Sequence, residues 1–247
     1  MTQYGFFFDQ SRCYGCQACA AACKDWNGLD PGPEKWMCVY EWETGTFPAP
    51  RIHTLAFPCA HCENPACLAA CPEGAIFKEE RYGAVLVDRD RCAGCRKCQE
   101  ACPFGAPKFA SDDEGEKMGK CTMCIDRLEQ GEQPQCALSC PMRALDFGPL
   151  EQLIETYGDA RTLEGMPEAE GLAPSMVFKP MPERLNLIPF DEEKVLRLNA
   201  QREGLPNLYE EEAELTDIPE GLMFRNGLRM KHDSLDDLLR ATRNDLG

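Results

Sequence analysis

Several features that would place this chain in a common protein class are missing from its sequence. The N-terminus lacks a positive region followed by a long apolar stretch and a small-residue cleavage site, so we expect no secretory signal peptide. No apolar run approaches the length that crosses a bilayer, so we expect no direct membrane span. Basic residues are scarce, with 26 Lys and Arg against 42 Asp and Glu. The resulting formal charge of −16 argues against a nucleic-acid partner, because phosphate binding needs a basic surface.

Cysteine is the residue that the chain has in excess. Seventeen of the 247 residues are cysteine, which puts cysteine chemistry ahead of every other consideration. All but Cys38 fall into four groups of four, which we call quartets one to four. In chain order the quartets are Cys13, Cys16, Cys19 and Cys23; Cys59, Cys62, Cys67 and Cys71; Cys92, Cys95, Cys98 and Cys102; and Cys121, Cys124, Cys136 and Cys140.

The spacing within the quartets predicts iron–sulfur clusters. Each quartet begins C-x2-C and ends C-x3-C, and only the gap in the middle varies. The third quartet reads C-x2-C-x2-C-x3-C-P, the run found in bacterial ferredoxins. In such a run the first three thiolates surround one cluster, and amides of the loop donate hydrogen bonds to the sulfurs. The fourth cysteine begins a new turn and points to a neighbouring cluster.

Zinc and disulfide bonds are the alternatives for so many cysteines. Structural zinc is held by two C-x2-C pairs with a longer loop between them, and the fourth quartet alone fits that pattern. The first and third quartets are too compact for it and suit a cluster-binding loop better. Disulfide frameworks belong mainly to short secreted chains. Cys38 is predicted to be a buried free thiol.

Internal repeats predict how the quartets are paired. Residues 8–16 match residues 87–95 in pattern, and residues 71–76 resemble residues 140–145. Gly15 and Gly94 occupy equivalent positions, where we expect the backbone to approach a cluster closely. Residues 74–77 and 83–88 predict a short β-hairpin between quartets two and three. Those two quartets would form one two-cluster ferredoxin, nested inside a second that quartets one and four form with an opening strand at residues 4–8.

The four quartets, their order and their spacings resemble the iron–sulfur subunits of dimethyl sulfoxide reductase and its relatives. The resemblance runs from residues 4–9, Tyr-Gly-Phe-Phe-Phe-Asp, to residues 143–149, Arg-Ala-Leu-Asp-Phe-Gly-Pro. Its most specific feature is the eleven-residue gap in the fourth quartet together with the stretch Lys120-Cys121-Thr122-Met123-Cys124. The fold that we predict is α+β, with two nested bacterial ferredoxin-like units related by pseudo-two-fold symmetry over residues 1–155.

The resemblance implies a set of ligands for four 4Fe–4S clusters. Some relatives hold a 3Fe–4S centre because one cysteine of the third quartet is replaced, but all sixteen positions are cysteine here. The implied ligands are Cys13, Cys16, Cys19 and Cys140 for cluster 1; Cys59, Cys62, Cys67 and Cys102 for cluster 2; Cys71, Cys92, Cys95 and Cys98 for cluster 3; and Cys23, Cys121, Cys124 and Cys136 for cluster 4.

The resemblance also implies a large catalytic partner that carries bis-molybdopterin guanine dinucleotide with Mo or W. The present chain would then contain no catalytic site and would pass single electrons to or from that partner, with a membrane anchor or another electron donor or acceptor as a further partner. The subunit of a formate dehydrogenase or hydrogenase complex is the alternative in the same class, and a zinc-stabilised interaction protein is the alternative from another. We expect a soluble chain, either exported with a partner that carries a twin-arginine signal, which we favour, or cytoplasmic.

Charged residues and a histidine beside the cysteines are candidates for adjusting the cluster potentials. Arg12, Arg91, Arg96 and Lys97 lie in or beside the cluster loops, and a cation there would favour the reduced, more negative cluster. The alternative, which we prefer, is that they are solvated or contact a partner. His61 lies between Cys59 and Cys62, where histidine could be a ligand, although hydrogen bonding or packing fits better with four cysteines present.

Residues 156–247 are predicted to form an irregular, partly helical C-terminal arm. Apolar residues at helical spacing predict a helix over residues 150–157 that ends at Gly158. A stretch rich in proline and glycine over residues 167–189 predicts an extended segment on a surface, followed by helices near 191–203 and 235–244. We predict that this arm wraps the catalytic partner, and the alternative is that it folds back onto the ferredoxin core.

Overall fold

The structure, a computed structural model, describes residues 2–45 and 50–182 together with positions 191, 193, 194 and 197. Two of the predicted helices, at 191–203 and 235–244, therefore lie outside the described residues except for those four positions. The described strands are β1 (Tyr4–Asp9), β2 (Cys38–Thr44), β3 (Arg51–Phe57), β4 (Ile76–Lys78), β5 (Val85–Val87), β6 (Leu145–Pro149) and β7 (Met176–Lys179). The described helices are α1 (Ala18–Trp26), α2 (Ala66–Ala69), α3 (Lys97–Ala101), α4 (Ile125–Leu128), α5 (Gln135–Leu138) and α6 (Leu150–Tyr157).

The N-terminal strand β1 is the centre of a three-stranded sheet. It runs antiparallel to β6, with Phe8 opposite Leu145, and parallel to β7, with Phe6 opposite Met176. Successive side chains of a strand point to opposite faces. Accordingly, Phe6 and Phe8 are fully buried in the main core, while Phe7 packs on the other face against α6 and β7. The strand predicted at residues 4–8 is confirmed.

Strand β7 is the main departure from the sequence-based expectation of an extended surface segment. Met176, Val177 and Phe178 are fully buried, because they add a third strand to the sheet and cover Phe6 and Phe7. Strand β7 thus packs on the main core, which corresponds to the alternative that we placed second. The arm around a partner stays a prediction for residues 183–247.

Two hairpins complete the described sheets. Strands β4 and β5 form the hairpin that the sequence predicts between quartets two and three, with Ile76 opposite Val87. Strands β2 and β3 form a longer hairpin, with Cys38 opposite Phe57, and the sequence analysis did not predict it. Trp42, Tyr40 and Leu55 of this second hairpin are buried in the main core together with several of the quartet cysteines, so the hairpin covers the cysteine-bearing loops rather than projecting from them.

Of the described helices, only α1 and α6 are longer than five residues. Helix α6 begins after Pro149 and ends at Gly158, as predicted, and Leu153 is its buried residue. In the part of the chain that the structure describes, no helix is both long and apolar enough to span a bilayer. The fold is therefore of mixed α and β type, with short helices in the cysteine-bearing loops.

Tyr157 gives this packing a pH dependence that can be measured. Its hydroxyl donates to Asp146 Oδ2 at 2.6 Å and its ring stacks on Phe7 at 3.7 Å. The hydrogen bond to the Asp146 carboxylate raises the pKa of Tyr157 to about 12, from about 10 when unfolded. This stabilisation is complete below pH 10 and is lost as the pH rises through 12.

We expect the melting temperature of the wild type to fall more steeply than that of Tyr157→Phe between about pH 10 and 12. The corresponding loss of unfolding free energy should be less than about 1 kcal/mol, because the phenol is partly exposed. Parallel curves for the two proteins would contradict the assignment.

Candidate iron–sulfur sites

Four cavities in the structure are each lined by four cysteines. We number them after the predicted clusters. Cavity 1 is lined by Cys13, Cys16, Cys19 and Cys140; cavity 2 by Cys59, Cys62, Cys67 and Cys102; cavity 3 by Cys71, Cys92, Cys95 and Cys98; and cavity 4 by Cys23, Cys121, Cys124 and Cys136. Each cavity thus combines three cysteines of one quartet with the last cysteine of another.

The spacing of the thiols in the four cavities bears on whether they would hold clusters or single ions. Within residues 2–45 and 50–182, no three His, Cys, Asp or Glu side chains lie close enough together to hold one metal ion. Zinc draws four thiolates to about 2.3 Å from one point, whereas a 4Fe–4S core holds them farther apart. The arrangement favours clusters over zinc.

Burial and amide hydrogen bonds suit these thiols to cluster binding. Burial raises the pKa of Cys19 and of Cys62 to about 12, so neither thiol is ionised near neutral pH without a metal. Amide N–H groups donate to other cysteine sulfurs, from Ala75 to Cys71 and from Ala144 to Cys140, both at 3.3 Å. Such bonds stabilise a thiolate ligand and influence the reduction potential of a cluster.

The loops of the two repeats have matching conformations. Gln17 and Arg96 both adopt left-handed backbone angles, with φ of 63° and 61°. His61 and Met123 do the same, and their amides donate to Cys59 Sγ and Cys121 Sγ at 3.4 Å in each case. The repeat seen in the sequence therefore extends to the local geometry of quartets one and three, and of quartets two and four.

Gly15 and Gly94 are constrained by the turn and by neighbouring protein atoms, and their predicted close approach to a cluster stays a prediction. Both have left-handed φ angles, of 76° and 70°. A Cβ at Gly94 would lie 2.5 Å from the carbonyl oxygen of Glu116, and one at Gly15 would overlap the Glu41 carboxylate. A side chain at either position is thus excluded by the turn and by the neighbouring protein atoms.

Electrostatic contacts between thiols of different cavities give the order of the cavities. The pKa of Cys67 in cavity 2 is raised to about 12 by burial and further by Cys98 of cavity 3. Burial raises the pKa of Cys121 in cavity 4, with a contribution from Cys59 of cavity 2. The pKa of Cys136 in cavity 4 is raised by burial and in part by Cys19 of cavity 1. The chain makes the same links: Cys67 of cavity 2 and Cys71 of cavity 3 are four residues apart. Helix α1 carries Cys19 of cavity 1 and Cys23 of cavity 4, and Lys120 lines cavity 2 directly before Cys121 of cavity 4. The cavities therefore follow one another in the order 3, 2, 4, 1.

Comparisons with known proteins agree with this geometry. The family of 4Fe-4S dicluster domains matches residues 51–150. One polypeptide of the anaerobic dimethyl sulfoxide reductase of Escherichia coli (strain K12) is 43% identical over 187 residues, which are 72% of this chain and 89% of that protein. The chain belongs to the dimethyl sulfoxide reductase family of iron–sulfur subunits.

Two further relatives show the spread of this family. The corresponding polypeptide of the anaerobic dimethyl sulfoxide reductase of Haemophilus influenzae is 37% identical over 190 residues, 73% of this chain and 90% of that protein. One polypeptide of the sulfite dehydrogenase of Allochromatium vinosum is 40% identical over 170 residues, 60% of this chain and 69% of that protein.

In this iron–sulfur subunit the long gap of the fourth quartet is attached to the end of α1. Arg127 is buried, forms an ion pair with Glu132 at 2.7 Å, and lies over the ring of Trp26 at 4.5 Å. Trp26 Nε1 donates to Asp126 Oδ2 at 2.9 Å. Since Trp26 follows Cys23 on α1, these contacts hold Cys23 beside the other three thiols of cavity 4.

The cations that the sequence suggested as potential-adjusting residues have other partners. Arg12 is exposed and lies 3.6 Å from Asp9. Arg91 donates to the carbonyl of Glu73 at 3.0 Å, and Lys97 is exposed. Arg96 lines cavity 3 but is paired with Asp112 at 3.1 Å. Arg12, Arg91 and Lys97 are exposed, which fits the preferred alternative that they are solvated, and a contact with a partner stays a prediction.

His61 and Lys120 are two buried polar residues at the edge of β5, and the sequence motif did not reveal the burial of Lys120. His61 Nδ1 accepts a hydrogen bond from the Val85 amide at 2.9 Å, and Lys120 Nζ donates to the Val85 carbonyl. Burial, followed by the charges of Lys120 and Lys78, holds the pKa of His61 well below its usual range. His61 is therefore neutral and is placed in a hydrogen-bonding role, as preferred.

Cys38 differs from its predicted environment. It is the first residue of β2 and is only half-buried, with its Sγ donating to the Lys35 carbonyl at 3.5 Å. The prediction of a buried thiol is wrong in this respect, because the strand begins at the edge of the core. Cys38 lies near Cys23 but does not line cavity 4.

Proposed function

We propose that the chain is an electron-transfer subunit in which cavities 1 to 4 each hold one 4Fe–4S cluster, with the sixteen quartet cysteines as ligands. The subunit would serve a molybdopterin oxidoreductase of the dimethyl sulfoxide reductase type. The observation that carries this proposal is the composition of the cavities. Each contains one complete set of the four cysteines that the family resemblance implies, although every set is drawn from two quartets.

The clusters supply one-electron redox chemistry, and the residues of this chain hold and insulate them. Phe104, Ala106 and Leu172 are among the apolar residues that line cavity 2, and Phe6 and Met37 line cavity 4. Such walls exclude water and keep reorganisation small, while the amide donors to sulfur set the balance between oxidised and reduced forms.

The nested architecture is part of the proposal. Quartets two and three with the β4–β5 hairpin would form the inner ferredoxin-like unit, and quartets one and four with β1 and β6 the outer one. Two equivalences support a pseudo-two-fold relation. Phe8 pairs with Leu145 as Val87 pairs with Ile76. The amides of Asp9 and Asp88 each donate at 2.8 Å to the carbonyl of the alanine that lies four residues after the last cysteine of the partner quartet.

The order of the cavities makes clusters 3 and 1 the ends of a four-cluster path. Cys95 of cavity 3 and Cys16 of cavity 1 are the two exposed ligand cysteines, whereas the other fourteen are half-buried or buried. We infer that electrons enter at one of these ends and leave at the other.

The partner that we propose is a large catalytic subunit with bis-molybdopterin guanine dinucleotide and Mo or W, in a complex that reduces dimethyl sulfoxide or a related compound. A membrane anchor or another redox protein would meet the opposite end of the path. The extent of the match to the dimethyl sulfoxide reductase polypeptide of Escherichia coli favours this complex over a formate dehydrogenase or hydrogenase. We place the complex outside the cytoplasm, after export of the folded chain with its catalytic partner.

Metal analysis with EPR spectroscopy tests the proposal directly. Protein purified without oxygen should contain about sixteen irons and an equal amount of sulfide per chain, and reduction should give signals of interacting 4Fe–4S clusters. Colourless protein loaded with zinc would overturn it and would support the zinc-stabilised interaction protein instead. A sample with about eight irons in two non-interacting clusters would contradict the continuous path.

A further inference from the structure

Lys120 is a buried cation between cavities 2 and 4, the two middle cavities of the order 3, 2, 4, 1. Its side chain is only 1% exposed and lines cavity 2. Its ammonium group donates to the carbonyl of Val85 and, at 2.9 Å, to the carbonyl of Cys121, which is a residue of cavity 4. The side chain of Lys120 therefore lines cavity 2, and its ammonium group is hydrogen-bonded to the backbone of a cysteine that lines cavity 4.

No carboxylate compensates this charge in the described part of the chain. None of the ion pairs among the described residues involves Lys120. Removing an ammonium group from water costs several kcal/mol, and two carbonyl oxygens replace only part of its hydration. A buried lysine without a carboxylate needs another source of negative charge nearby.

The position has no counterpart in the other repeat. In the equivalent place before Cys59 the chain has Pro58, which carries no charge. The charge itself is what distinguishes Lys120.

We propose that Lys120 is the internal counter-cation of clusters 2 and 4 and raises the reduction potential of cluster 2 above all, an inference that rests on the proposed function of these cavities. Each added electron makes a cluster more negative, and clusters 2 and 4 are neighbours whose charges repel. A cation between them, in a region without water, offsets both the added charge and the repulsion. Lys120 acts on the potential as a positioned charge and is not a ligand.

The test is a redox titration of the purified complex followed by EPR, for the wild type and three variants. Lys120→Met keeps the length of the side chain and removes its charge, and Lys120→Arg keeps the charge. Lys97→Gln is the matched control, because Lys97 also precedes a ligand cysteine but is exposed. The signal of cluster 2 is identified by its loss in Cys62→Ala.

In Lys120→Met we expect the ratio of reduced to oxidised cluster 2 at a fixed potential to fall about tenfold to a hundredfold, where each tenfold step is a 59 mV lower midpoint for a one-electron centre. Lys120→Arg should stay near the wild type, and so should cluster 3 in Lys97→Gln, because solvent screens an exposed charge.

The other outcomes of the titration also support or overturn the role of Lys120. Assembly in Lys120→Arg but not in Lys120→Met would also support a required charge. A cluster 2 midpoint in Lys120→Met equal to the wild-type value, or failure of both variants to assemble, would overturn the inference and leave Lys120 a packing residue. Absence of cluster signals from the wild type would instead overturn the proposed function.

Discussion

Replacing Cys140 by alanine should remove the same cluster as replacing Cys13, although the two cysteines are far apart in the sequence. Both line cavity 1, whereas Cys136, four positions before Cys140, lines cavity 4. We expect each replacement to lower the iron content from about sixteen by all four irons of one cluster, or by one where a 3Fe–4S centre remains. The EPR signal that disappears should be the same for Cys140→Ala and Cys13→Ala.

A second pair of variants and a control make the test specific. Cys136→Ala and Cys23→Ala should share a different lost signal, because both line cavity 4. Cys38→Ala should retain all the iron, since Cys38 lines none of the four cavities. If Cys140→Ala and Cys136→Ala instead lost one and the same signal, each quartet would hold its own cluster and the nested scheme would be wrong.

Ending the chain after residue 159 should prevent stable assembly, whereas ending it after Pro182 should not. The shorter protein lacks β7, whose Met176, Val177 and Phe178 are fully buried. Loss of one large core side chain costs about 2–5 kcal/mol, and a domain is stable by only about 5–15 kcal/mol. Iron content and the thermal unfolding curve of the two truncated proteins are the measurements.

The segment before β7 adds to this effect at cavity 2. Ser175 donates through its amide to Ala60 and through its hydroxyl to the His61 carbonyl, at 2.8 and 3.0 Å. The shorter truncation therefore also frees the loop of quartet two. The longer protein keeps these contacts, and it should hold about sixteen irons while no longer co-purifying with the catalytic subunit if residues 183–247 form the arm. Full iron content in the shorter protein would contradict the role of β7.

The sequence carried the chemistry of the site because that chemistry is local. Ligand spacing within a quartet, the β4–β5 hairpin between quartets two and three, and the apolar strand β1 are all encoded over a few neighbouring residues. Strand β7 is different. Met176 and Phe178 follow a segment rich in proline and glycine, and their parallel pairing with β1 depends on residues far away in the chain. No periodicity within four residues reveals such a partner.

The two lysines that precede ligand cysteines show the same limit at the level of a single side chain. Lys97 before Cys98 and Lys120 before Cys121 look alike in the sequence, yet one is exposed and the other is buried. The difference arises from β5, because its Val85 carbonyl accepts a hydrogen bond from Lys120 across 35 positions of the chain. Burial of a charge is set by tertiary packing and could not be read from the motif.

The nesting of the quartets has a consequence for how the protein is made. In the proposed scheme all eight ligands of clusters 2 and 3 lie between Cys59 and Cys102, so they leave the ribosome together. The thiols from Cys13 to Cys23 leave it first, but their partners between Cys121 and Cys140 follow only several seconds later at about 5–20 residues per second. The earliest thiols of the nascent chain are thus the last to be joined to iron, and they must be kept reduced throughout that interval.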